Sequence, residues 1–147
     1  MNHAKLALDY YKRGFLCSQA ILAAFSDVTG LPEEESLKLG QFFGSGMRQG
    51  EVCGAATGCL MVLGLKFGRS DENDLEKKLN ADRICEKFME RFKEVNGSYL
   101  CRDLLGCDIR DKEAAAKARS EGLFKTLCPV FIEKGAQILD EILNEES

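Results

Sequence analysis

The chain has 147 residues, with 24 acidic against 20 basic side chains, a net charge of −4 and a pI near 5.2. The basic residues are interleaved with acids rather than gathered into a stripe, which argues against nucleic acid as a partner. A composition 45% apolar and 30% charged suits an ordinary globular protein, and the length predicts one domain over residues 1–147.

The opening MNHAKLALDYYKRG lacks the apolar core and small-residue cleavage site of a secretion signal, so a cytoplasmic location is expected. Helical periodicity starts at once. Leu6, Leu8, Tyr10 and Tyr11 predict a helix over residues 2–13 ending at Gly14, with His3 in a frayed terminus. Ala20, Ile21, Ala24, Phe25 and Val28 predict an amphipathic helix over 17–28, stopped by Thr29-Gly30. Leu31-Pro32 followed by Glu33, Glu34 and Glu35 predicts a helix start, because proline and acids suit a first turn. That helix runs to about Phe43 and meets a Gly-rich loop with Gly44, Gly46 and Gly50.

The apolar run from Val52 to Phe67 is the predicted central helix. It is shorter than the ~20 residues of a membrane span, so no span is expected. A charged helix is expected from Ser70 to Val95, with Leu75, Leu79, Ile84, Phe88, Phe92 and Val95 inward. Ser98 can cap a short helix over 99–105, Asp111 an Ala-rich one, and Pro129 begins the last, over 130–143. Without strand alternation, the fold class is all-α, a single compact multi-helix domain around the central apolar helix.

Seven cysteines are the compositional departure. The count is odd and no secretion signal is present, so a static disulfide framework is not expected. The single histidine and the lack of Cys-x-x-Cys disfavour Cys/His zinc patterns, His-ligated haem, a Cys–His pair and a thioredoxin motif. Chemistry must therefore use cysteines distant in sequence. Cys17, Cys53, Cys101 and Cys128 all fall at predicted helix N-termini, where unpaired N–H groups and the dipole favour a thiolate, the form that attacks disulfides and binds metals. Cys85 reads as buried beside Ile84, Cys59 as core, and Cys107 as a loop thiol or a spare ligand if the loop folds inward. Arg48 and Glu51 flank the loop as a candidate charge pair.

The arrangement Cys17 … Cys53-Gly54-Ala55-Ala56-Thr57-Gly58 … Cys101 … Cys128 resembles the redox-active family named for its C_GCAxxG_C_C pattern. The resemblance includes Cys17-Ser18-Gln19-Ala20, the lead-in Phe43-Gly44-Ser45-Gly46-Met47, Cys101-Arg102-Asp103-Leu104-Leu105-Gly106 and Cys128-Pro129. It implies a small redox protein. It extends to the non-haem part of split-Soret cytochromes, which hints at a cysteine-held iron centre; this chain lacks Cys-x-x-Cys-His, so the haem half does not carry over.

The first expectation is therefore an iron–sulfur cluster in electron transfer, with Cys17, Cys53, Cys101 and Cys128 as ligands and catalytic residues. Gly46, Gly50, Gly54 and Gly58 are the candidate cofactor-contacting positions, since glycine-rich backbone can offer N–H groups to sulfur. The alternative is a metal-free thiol–disulfide protein. A cysteine-only zinc site ranks last, because no close ligand pair exists. A redox partner protein is implied, and the apolar helices permit a homodimer.

Overall fold

Asn2 accepts a hydrogen bond from the Lys5 N–H at 3.0 Å and caps α1 (His3–Lys12) in a computed structural model that describes residues 2–147. His3, expected to fray, is buried instead. Its ring stacks on Phe25 with centroids 4.1 Å apart, and its Nδ1 and Nε2 lie 2.8 Å and 2.9 Å from Asp140 and Asp27. The terminus is thus tied to two distant segments that no local pattern could reveal.

α2 (Cys17–Ala24) stops earlier than its apolar periodicity suggests. At Phe25 the chain bends into a short α3 (Ser26–Thr29), and the Ser26 hydroxyl donates to the Ala23 carbonyl at 2.8 Å, a local bond that competes with the helical ladder. Gly30, at φ +78°, ends it. α4 (Glu33–Gly40) follows Pro32 with three glutamates in its first turn, as the sequence predicts.

α5 (Gly54–Phe67) is the central helix, burying Ala55, Ala56, Cys59, Val62 and Leu63 against α2, α6 (Leu75–Asn96) and α10 (Cys128–Glu145). Its contact with α2 is very close. A Cβ at Gly58 would stand 3.0 Å from Ile21 Cβ and 3.1 Å from the Ser18 carbonyl oxygen. Cys59 is core, as expected, its thiol donating to the Gly135 carbonyl at 3.5 Å.

α6 begins at Leu75 rather than Ser70, capped by the Asp74 carboxylate. Ile84, Phe88 and Phe92 form its buried stripe, but Leu75, Leu79 and Val95 are 64%, 68% and 47% exposed. The apolar periodicity continues past the part of the helix that has neighbours to pack against. Cys85 is also exposed, against the expectation of burial. One residue beyond Ile84 lies ~100° around the helix and so leaves the stripe. Arg83, Lys87 and Arg91 reach Glu146 and Glu145 on and just beyond α10 at 2.6, 3.0 and 2.7 Å, and hold both carboxyls at about 2.

Three short helices precede α10: α7 (Cys101–Leu105), α8 (Lys112–Ser120) and α9 (Leu123–Thr126). Ser98 does not cap α7 directly; Leu100 holds that place, while the Ser98 hydroxyl accepts from the Leu100 N–H at 3.0 Å. Among the described residues, the fold is all-α, and no helix is long and apolar enough to cross a membrane.

Two glycines of α5 give opposite expectations. Gly58→Ala forces α2 and α5 apart and should lower unfolding stability by about 1–3 kcal/mol, the usual range for overpacking. Gly64→Ala meets nothing within 4 Å on an exposed helix face and should raise it by about 0.5–1 kcal/mol. Urea denaturation of the two variants checks both signs.

Candidate functional site

Between α4 and α5 the backbone does something that L-residues avoid. Ser45, Gly46, Met47 and Arg48 take φ of +54°, +61°, +58° and +59° in succession, and Gly50 follows at +67°. A left-handed residue other than glycine costs about 1–2 kcal/mol, so Ser45, Met47 and Arg48 store strain here. Glycine is obligatory at 46, where a Cβ would stand 2.6 Å from the Glu51 carbonyl oxygen. The turn closes through the Glu51 N–H donating to the Gly46 carbonyl at 3.1 Å. Its product is a directed donor: the Ser45 N–H faces the Cys17 sulfur.

Immediately after the turn, residues 51–53 pair with 99–101 in an isolated antiparallel bridge centred on Val52 and Leu100. The Cys53 N–H donates to the Tyr99 carbonyl at 2.7 Å, and the Cys101 N–H to the Glu51 carbonyl at 2.6 Å. Cys53 and Cys101 are thereby fixed by their own backbones. Glu51 forms an ion pair with Arg102 at 3.1 Å rather than with Arg48, which is exposed in the strained turn. Arg102 also donates to the Gly50 carbonyl at 3.4 Å.

All four sequence-selected cysteines open helices: Cys53 caps α5, while Cys17, Cys101 and Cys128 are the first residues of α2, α7 and α10. Their sulfurs act on one another's ionisation, with Cys17 as the common neighbour. The Cys17 thiol falls from the ordinary range to about 7, because the Cys53 thiol donates toward its sulfur and the backbone N–H groups of Ser45, Ser18 and Cys17 itself add to this against burial. Cys53 goes the other way, raised first by that same hydrogen bond to Cys17 and then by burial. Burial pushes Cys101 up to about 12 and Cys128 up to about 11, each opposed further by the Cys17 charge. The helix N-terminus was expected to favour a thiolate at each position; desolvation outweighs it at all but Cys17.

Of the glycines, Gly46 shapes the turn, and at Gly50 an added Cβ would stand 3.5 Å from Arg102 Cβ and 3.7 Å from Ile109 Cγ1. Gly54 lies against Cys17, so that a Cβ there would collide with the sulfur and stand 2.9 Å from the Phe43 carbonyl oxygen. Gly58 sits one turn on, against Ser18 and Ile21 of α2. Cys107 is half-buried and bears on Cys101, so its loop does fold inward, whereas Cys59 and Cys85 lie in the core and at the surface.

Sequence reasoning missed Tyr11. Read as part of an apolar helix face, its hydroxyl reaches the sulfur pocket beside Cys128, where burial and the Cys128 sulfur raise its own ionisation well above the tyrosine range. A polar tip on an aromatic ring at an inward position was the available signal.

Among the described residues, no group of three or more histidine, cysteine, aspartate or glutamate side chains is arranged to hold a single metal ion.

A family model described as "Putative redox-active protein (C_GCAxxG_C_C)" matches residues 15–142. The chain belongs to this family. No curated protein and no solved structure gave a match.

The unequal thiols set a reactivity order. Alkylation by iodoacetamide should strike Cys17 first, with a rate half-maximal near pH 7 that falls as the pH drops and the thiolate is protonated. Cys53→Ala removes the donor and should move that midpoint up toward the ordinary thiol range, as followed by peptide mass spectrometry across pH.

Proposed function

We propose that the protein is a thiol–disulfide redox protein whose working couple is Cys17 and Cys53. The observation that supports this reading is the pairing of a thiolate near neutrality with a protonated thiol turned toward it. The Cys17 thiolate attacks a disulfide R–S–S–R, forming a mixed disulfide and releasing R–S⁻. Cys53 then gives its proton to R–S⁻ or solvent and attacks the Cys17 sulfur, expelling the second R–S⁻. Two protein thiols are oxidised and one external disulfide is reduced to two thiols. Ser45 holds Cys17 in place, and the bridge to Tyr99 holds Cys53. The strain of the left-handed turn is the conformational cost of that arrangement. A partner carrying an accessible disulfide or dithiol, in a reducing cytoplasmic setting, suits such a couple.

A second reading is favoured by Cys101 and Cys128, which the dithiol cycle does not need and which bear on the same sulfur. Cys17, Cys53, Cys101 and Cys128 would together hold an iron–sulfur cluster, which supplies one-electron transfer. In that state the Ser45 N–H would donate to a ligand sulfur, and hydrogen bonds of this kind tune the potential.

Treatment of reduced protein with oxidised glutathione separates the readings. The dithiol cycle expects free thiols to fall from seven to five, with the new disulfide mapped to Cys17–Cys53 and no metal bound. Anaerobic protein that is brown, bleached by dithionite and colourless as Cys101→Ser would transfer the assignment to the cluster.

A further inference from the structure

Asn96 carries a polar group that the fold itself does not use. Its carboxamide Oδ1 and Nδ2 are both closed off from water and have no hydrogen-bond partner among the described residues. An amide left in that state bears the full cost of its lost hydration. Helix termination does not require it. The end of α6 is closed by the Gly97 N–H, which donates to the Lys93 carbonyl at 2.7 Å with Gly97 at φ +90°. That cap is made by backbone alone, so an apolar side chain at 96 would serve it equally well.

The same residue lines a cleft of about 510 Å³, within the size range of small-molecule sites. Tyr99, Leu100, Leu104 and Phe131 give the cleft apolar and aromatic walls, and the exposed Lys93 lines it one helical turn from Asn96. Other polar groups there are already engaged. The Ser98 hydroxyl accepts from the Leu100 N–H at 3.0 Å and donates to the Asp103 carboxylate at 3.0 Å. The Asn96 carboxamide thus brings unused capacity, an N–H donor beside a carbonyl acceptor. Space is open next to it, since a Cβ at Gly97 would meet nothing within 4 Å. Rotation of the Asn96 side chain toward the cleft is unobstructed on that side.

We propose that this cleft binds a small planar heterocycle with an imide edge, the Asn96 carboxamide turning into it to pair with the ligand's adjacent N–H and C=O while the ring lies on Tyr99 and Phe131. A carboxamide and an imide edge each present an N–H beside a carbonyl, so one partner satisfies both orphaned atoms. Aromatic side chains take the faces of such a ring, and the Lys93 ammonium favours the second imide carbonyl. Binding relieves the unpaired amide, and that difference draws the side chain out. The site adjoins the thiols without including them: Tyr99 and Leu100 line the cleft and also form the bridge that holds Cys53 and Cys101. No bond changes in this binding, and it is independent of the thiol–disulfide cycle.

The test uses full-length protein, in the dark, with two fluorescent probes that differ by one methyl on the imide nitrogen, lumiflavin and 3-methyllumiflavin. Lumiflavin fluorescence should change saturably on titration, with shifts in the ¹H–¹⁵N spectrum centred on Asn96, Tyr99, Leu100 and Leu104. The methylated probe cannot donate from that edge and should bind wild-type protein at least about tenfold more weakly. Asn96→Leu should lose lumiflavin affinity by about the same factor. Without probe it should melt a few degrees higher than wild type, because no unpaired amide is left. Comparing the two probes on wild-type protein removes any dependence on how well the leucine variant folds. Lack of saturable lumiflavin binding, equal affinity for the two probes, or unchanged lumiflavin affinity in Asn96→Leu overturns the site. Each of these results leaves the Cys17–Cys53 cycle standing.

Discussion

Two backbone hydrogen bonds, from Cys53 to Tyr99 and from Cys101 to Glu51, decide what this protein can do. They join segments some fifty residues apart, at the ends where two helices begin. A helix start carries unpaired N–H groups, and a bridge at that point fixes where the first side chain aims. Without the bridge, Cys53 and Cys101 would sit on loops free to move independently. With it, the long apolar helix α5 and the short α7 start from one rigid seam, and the strained turn ahead of them has a fixed wall to close against.

The remaining cysteines reach that seam by different means. Cys17 arrives because α2 packs on α5 so closely that Gly54 and Gly58 are needed where they touch. Cys128 arrives at the start of α10, which is held on three sides by α1, α5 and α6. Burial then divides the sulfurs electrostatically. Several thiolates cannot share a desolvated pocket, so the one that collects the most hydrogen bonds takes the charge and its neighbours keep their protons. Cys17 is that one.

Much of this could be read from the chain in advance. Eight of the ten helices among the described residues, the central apolar helix and the positions of four cysteines at helix starts follow from local signals such as Pro32, Asp111 and Pro129, whereas the short α3 and α9 do not. What local signals could not supply was anything set by long-range contact. His3 is buried because Asp27 and Asp140 meet it, and Cys85 is exposed because it lies a residue round the helix from the stripe that Ile84 and Phe88 bury. The ranking of the thiols was invisible for the same reason: a helix N-terminus is a property of sequence, but desolvation is a property of the packed whole. The Gly-rich loop was legible as a place of unusual backbone, though not as a run of left-handed residues, since Ser45, Met47 and Arg48 are types that ordinarily decline that geometry.

That run has a practical corollary for anyone redesigning the molecule. Glycine at Met47 or Arg48 would relieve the left-handed penalty and would look favourable by any criterion based on melting temperature. The same change would slacken the peptide that aims Ser45 at sulfur. Robustness and nucleophilicity are therefore opposed at these positions, and a variant selected only for heat tolerance would drift toward an inert scaffold.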